Sequence, residues 1–206
     1  VCIERHQEVI MPHSAPRHHR LSTGLLALLL ALFWILQMSS ARAAEADTYD
    51  QDSVLQAAIE FFGQTTEGLA KVIEKAFKDH GRPVGYIRGE EVAGAITVGL
   101  VYGQGDLILK NGTTAKVYWQ GPSIGFDLGL NASKVFVLVY NLKDKERLYQ
   151  RFPGVDGSLY WAAGVGMNYQ RRDDIVLAPI RLGVGWRAGA SVGYMHYTRD
   201  RRWLPL

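Results

Sequence analysis

The sequence predicts an α+β, mainly β domain: a small eight-stranded β-barrel with N-terminal helices packed against it. Three observations lead there. Apolar residues follow helical spacing up to His80. After Pro83 the apolar period falls to two, the spacing of strands with one buried face. In that strand-like part the glycines keep to one parity: Gly99, Gly103 and Gly105; Gly121, Gly125 and Gly129; Gly183, Gly185, Gly189 and Gly193. Glycine weakens a strand interior, so its repetition asks for a reason. The tight bending of a small barrel is one, with bulk expected on the opposite face of each strand.

In chain order, residues 1–10 read as an upstream extension, and Met11 opens a leader. Arg17, His18, His19 and Arg20 form its basic start, residues 25–36 (LLALLLALFWIL) its apolar core, and Ala41-Arg42-Ala43 a small-residue cleavage site. That is the layout of a secretory signal peptide. The apolar core is shorter than the ~20 residues that span a bilayer, and no cysteine follows it to carry a lipid. The expectation is a chain cut before Ala44 and released to the periplasm, with no stable membrane span. Residues 1–43 are then extension and signal peptide, 44–52 a disordered tether, and 53–206 a single barrel domain.

Residues 53–62 and 66–80 read as helices. In the second, Leu69, Val72, Ile73, Ala76 and Phe77 make one apolar stripe. Thr65 or Thr66 can cap its start, and Gly81 and Pro83 end it. Strands are expected at 84–88, 95–102, 107–110, 115–120, 124–130 and 134–140. Asn111-Gly112 supplies a tight turn. Residues 143–152 read as a short amphipathic helix stopped by Pro153-Gly154. Strand patterns return at 159–169 and 175–198, the latter long enough for two strands. Arg172-Asp173-Asp174 is the turn between them, and Pro179 calls for a bulge or edge.

Composition narrows the function. The chain carries 23 Lys+Arg and 20 Asp+Glu; four Arg and two Glu precede Ala44, which leaves the mature part at a net charge of +1. That is a weak footprint for nucleic acid. Arg199, Arg201 and Arg202 read as a solvated basic tail. The single cysteine, Cys2, lies in the leader, so the mature chain has neither a disulfide nor a thiolate nucleophile. Its two histidines, His80 and His196, are too few for a three-histidine metal site. His80 ends a helix, where a positive charge suits the dipole. Glu90, Glu91, Asp127 and Asp156 read as loop or turn acids with no spacing that pairs them for acid–base work. GLVYGQG lacks the Lys-Ser/Thr and following helix of a phosphate loop. Asn131-Ala132-Ser133 matches a glycosylation sequon but reads as a turn. No enzyme activity, metal or cofactor is expected.

One stretch stands between wall and site: VYWQGPSIGFDLG, residues 117–129. Its plain reading is two barrel strands joined by a Gly-Pro-Ser turn. Its functional reading is an aromatic platform, with Tyr118 and Trp119 stacking on a sugar or an acyl chain. FPGVDGS, residues 152–158, is either a connection or a rim loop. The candidate contact residues are therefore Tyr118, Trp119, Gln120, Ser123, Asp127 and Asp156.

FFGQTTEGLAKVIEKAFKDHGRPVGYIRGEE, LVYGQGDLILKNG, KVYWQGPSIGFDLG, VLVYNL, LYQRFPGVDGS and ASVGYMHYT together resemble the envelope integrity protein A family of Gram-negative bacteria, also catalogued as a conserved domain of unknown function. WQGPS and RFPGVDGS are the specific pieces. The resemblance runs from about residue 61 to 198 and weakens at the termini. It implies a soluble periplasmic protein with a small eight-stranded barrel and a role in cell envelope integrity under stress, and it brings no catalytic residues. A fainter similarity, from YGQGDLIL to SIGFDLGLNASKVFVLVYN, is to SYLF-type lipid-binding domains. The expectation is a non-enzymatic periplasmic protein supporting the envelope. Its alternative is a module binding a lipid or other amphiphile, and the discriminator is whether the lumen is packed or open.

Overall fold

The computed structural model describes residues 47–64, 66–94, 99–123, 131–183 and 193–202. They belong to one compact unit, Ala43–Leu206. The expected strand 124–130, residues 95–98 of the expected strand 95–102, and Gly125, Gly129, Gly185 and Gly189 of the glycine pattern lie outside the described residues, as does the leader.

Helix α1, Gln51–Phe62, begins two residues earlier than expected, because Asp50 caps it by accepting from the Ser53 backbone N–H. Residues 47–52 are correspondingly not a loose tether. The Tyr49 N–H donates to the Pro83 carbonyl, and its ring meets Tyr86 at 5.3 Å. Helix α2, Glu67–His80, is capped by Thr66 and buries Leu69, Val72, Ile73 and Ala76, as the stripe predicts. Its end differs from expectation. His80 lies edge-on to Tyr169, and burial pushes its pKa below the ordinary histidine value. It therefore serves as a neutral packing ring rather than a positive cap.

One antiparallel sheet follows: β1 Gly85–Gly94, β2 Gly99–Leu109, β3 Thr114–Ser123, β4 Asn131–Tyr140, β5 Arg151–Pro153, β6 Tyr160–Ala162, β7 Val165–Met167, β8 Gln170–Arg172, β9 Ile175–Leu182 and β10 Tyr194–Thr198. Its order is β5-β10-β3-β2-β1-β4-β9-β7-β6, with β8 also on β9. A bridge from Gly154 to Gln170 brings the end of β5 onto β8, so the sheet curls back on itself.

Among the described residues there are ten strands where eight were expected, for local reasons. The stretch 159–169 is not one strand; Ala163 and Gly164 take positive φ and fold it into the β6–β7 hairpin. Residues 143–152 are not a helix of their own. Only Lys145–Leu148 makes a 3-10 turn, and β5 begins at Arg151. Conversely, 99–102 and 107–110 are one continuous strand, β2, running through Gly103-Gln104-Gly105. Gly-Pro-Ser is no turn: Gly121, Pro122 and Ser123 stay in β3, opposite Val101, Leu100 and Gly99. Asn111-Gly112 does turn the chain, with Asn111 Oδ1 accepting from the Thr113 N–H. Asp173 takes positive φ in the β8–β9 turn. Pro179 sits where the far side of β9 has a gap between its short partners β8 and β7.

The sheet buries both faces of β4 and β9. Phe136, Leu138, Tyr140, Val176, Ala178 and Ile180 face the helices. Val135, Val137, Val139, Ile175 and Leu177 face the inside of the curl, with Ile87, Leu107, Val117, Phe152 and Tyr197. The helix-side core contains no residue of β3 or β10.

Candidate functional site

β3 is both wall and site, because alternate side chains of a strand leave on opposite faces. Trp119 points inward and is only 2% exposed. Its Nε1–H donates to Glu91 Oε1 at 2.9 Å. Glu91 holds Arg181 through two bonds, Nε to Oε2 at 2.7 Å and Nη2 to Oε1 at 2.8 Å. Arg181 Nη1 reaches Asn168 Oδ1 at 3.4 Å. Burial works against the Arg181 charge, yet the carboxylate beside it keeps the guanidinium above its ordinary range. Deeper still, the Tyr197 hydroxyl donates to Gln170, and burial pushes its pKa well up.

Glycines make the room for this indole. A Cβ on Gly103 would fall on the Trp119 ring, and one on Gly89 would meet its far edge at 2.5 Å. So the glycines of β2 do not lie opposite the bulk, as expected. Gly103 and Gly105 share the inward face with Val101 and Leu107; Gly103 makes way for the Trp119 side chain, and Gly105 lets the β1 backbone come close. Trp119 is accordingly no ligand platform. Glu91, read as a loop acid, is an interior strand residue, and Glu90 beside it on β1 points outward.

The outward residues form the candidate site. Tyr102 stands opposite Gln120, and Gln104 opposite Tyr118. On the next strand Val92 pairs with Tyr102 and Glu90 with Gln104. This checkerboard floors a groove of about 390 Å³, with Arg201 and Arg202 at its rim. Both tyrosines are half-buried, and Gln120 is 2% exposed. Arg201 Nη2 donates to Gln104 Oε1 at 2.6 Å, with its guanidinium 6.0 Å from the Tyr118 ring centre. Arg199 pairs with Glu146 and lies over Tyr149. Arg199 is thus held by the 3-10 turn segment and Arg201 by β2, while all three arginines stay exposed to solvent.

Of the residues singled out in the sequence, Tyr118 and Gln120 meet in this groove. Trp119 lies in the lining at 2% exposure, with its ring turned to the interior. Ser123 ends β3. Asp156 is exposed in the turn between β5 and β6 and lines no part of the groove. Asp127 lies outside the described residues. His196 is opposite Gln120 on β10; burial and the nearby Arg151 and Arg202 lower its pKa. Sequence reasoning missed the Glu91–Arg181 pair. Its signal was a lone arginine in the apolar run IVLAPIRLGVG. Among the described residues no group of three His, Cys, Asp or Glu converges as a metal site. No described helix is long and apolar enough to cross a membrane.

Among curated proteins none matches the chain. A solved structure described as a beta-barrel-like, uncharacterised protein from Brucella abortus is similar over 78% of this chain and all of its own, at 48% identity and a TM-score of 0.72. The family model described as envelope integrity protein A matches residues 47–206. That span takes in every described strand and both helices, and the chain belongs to the envelope integrity protein A family.

Proposed function

We propose that the protein works in the periplasm as a soluble, non-enzymatic support of the cell envelope, built on a ring of eight strands. The ring runs β5-β10-β3-β2-β1-β4-β9-β8 and returns to β5 through the Gly154–Gln170 bridge, leaving β6–β7 as an added hairpin. The family supports the envelope role, and the leader supports the compartment. The observation that carries the non-enzymatic part is how the polar groups are used. The interior carboxylate and guanidinium are spent on each other and on Trp119, at 7% and 8% side-chain exposure. Among the described residues the groove is lined by a single carboxylate, that of Glu90, where hydrolysis of a glycosidic bond ordinarily takes two. An amphiphile inside the curl is disfavoured, because Trp119, Phe152 and Tyr197 pack edge and face there, with ring centres 5.6–6.0 Å apart.

The test is genetic. Deleting the gene should sensitise cells to detergents and to antibiotics directed at the cell wall, and the wild-type gene should restore resistance. His196→Ala and Asp156→Asn should restore it equally. Unchanged resistance in the deletion would remove the envelope role. A folded His196 or Asp156 variant that behaves like the deletion would point to chemistry instead. Native protein recovered in osmotic-shock fluid, beginning at Ala44, is the expected mark of the compartment.

A further inference from the structure

We propose that the groove over β1, β2 and β3 binds a linear acidic glycan. The inference rests on the envelope reading and names the partner class of this groove. The volume, about 390 Å³, falls within the ~300–1,000 Å³ of small-ligand clefts. What decides the class is how the lining is arranged. Two tyrosines and two glutamines alternate across β2 and β3: Tyr102 against Gln120, Gln104 against Tyr118. The rings stand on a diagonal, where cross-strand neighbours lie about 7–8 Å apart. Each ring therefore has amides beside it. A pyranose has apolar C–H faces and a polar edge of hydroxyls, and it needs both kinds of neighbour at once. Tyrosine offers an apolar body with a polar tip, and the exposed Gln104 an amide that donates as well as accepts, while Gln120, at 2% exposure, backs the floor.

The floor is mostly apolar, with Val92 exposed on it, but an acyl chain would use nothing else of the groove. It gains only from area taken out of water, about 25 cal/mol per Å². This groove leaves Glu90, Gln104 and Arg202 exposed along its sides. Those groups would stay wet beside the chain or lose water without a partner. A sugar strand can remain half in water and still use them. The charge points to the acidic class: two arginines at the rim face one glutamate. Arg201 is engaged with Gln104 and Tyr118; Arg202 is the cation that a carboxylate or phosphate on the strand would meet.

Acidic glycan reaches such a groove from two sources, and the experiment separates them. Full-length purified protein is titrated calorimetrically with peptide-stripped peptidoglycan strands and, separately, with the delipidated saccharide of lipopolysaccharide. Neutral chitotetraose and palmitate are run beside them. Binding of either acidic glycan is the expected result. Tyr102→Ala and Tyr118→Ala should each weaken it about fivefold to tenfold, the scale of one lost ring contact. Arg202→Gln should weaken it and flatten its salt dependence. Trp161→Ala, an exposed ring on the β6–β7 hairpin, should leave it unchanged. Circular dichroism establishes that each variant is folded. The proposal is overturned if neither acidic glycan binds, if binding ignores both tyrosines, or if chitotetraose or palmitate binds as tightly with the same tyrosine dependence. Loss of the glycan result with the deletion phenotype intact would sink this inference alone. Glycan binding with no deletion phenotype would sink the envelope role alone.

Discussion

Arg181→Met tests the interior most directly. Arg181 and Glu91 are joined by two short hydrogen bonds, 2.7 and 2.8 Å, at 8% and 7% side-chain exposure. Methionine matches the stem of arginine but removes the charge. Glu91 then keeps only the Trp119 N–H, and a buried carboxylate without its counter-ion costs about 3–5 kcal/mol. A domain of this size has about 5–15 kcal/mol of stability in total, so a large share should disappear. The double variant Glu91→Leu/Arg181→Met should be more stable than Arg181→Met alone. It strands only neutral groups, the Trp119 N–H and the Asn168 carbonyl, at ~1–3 kcal/mol for an unmade bond. Urea unfolding of the wild type, both single variants and the double gives the coupling energy. If Arg181→Met lies within ~0.5 kcal/mol of wild type, or if the double variant loses the sum of the singles, the interior pair is not holding the curl as argued.

Three further outcomes follow from the same geometry. Gly103→Ala places a Cβ against an indole already hemmed by Gly89. It should cost about 1–3 kcal/mol by overpacking, read as a lower urea midpoint; an unchanged midpoint would mean the indole has somewhere to go. Stability should rise with pH between the lowered native values of His80 and His196 and about 6.5, because the unfolded chain binds more protons there. Replacing both histidines with Gln should flatten that slope, and a slope that survives would assign it to other groups. Thr66→Ala removes the hydroxyl that accepts from the Leu69 N–H at 3.1 Å. It should cost about 1 kcal/mol, with unfolding kinetics or denaturant melts as the check.

The helices were legible because their signals are local. The α2 stripe, its threonine cap and Gly81 all lie within one stretch, and each does what its chemistry suggests. Asn111-Gly112 was legible for the same reason. The errors came where partner strands decide. Gly-Pro-Ser has the composition of a turn, but Gly99–Val101 lies alongside and extends β3 through it. Residues 159–169 read as one strand, yet positive φ at Ala163 and Gly164 folds them back, and no strong turn residue pair marks the place. His80 looked like a helix-end cation until Tyr140 and Tyr169 surrounded its ring. The groove was half visible: Tyr118 and Gln120 were on the page, but Tyr102, Gln104 and the C-terminal arginines join them only through the register of β2 and the return of the chain after β10.

The two faces of β3 are mechanically one object. Trp119 lies between Tyr118 and Gln120 of the groove, and its ring is clamped between Gly103, Gly89 and the Glu91 carboxylate. β2 supplies the outward Tyr102 and Gln104 from the same strand that clears space with Gly103. β1 supplies the outward Glu90 beside the inward Glu91. A strand cannot shift by one residue without turning its inward set outward, so the bond from Trp119 to Glu91 favours the alignment of β3 that sets tyrosine against glutamine outside. That is a physical reason for a curled sheet of this size to carry a costly buried charge pair where apolar residues would serve stability as well. The pair joins β1 to β9, and the bond from Trp119 to the same carboxylate adds β3, reaching across β2 at Gly103.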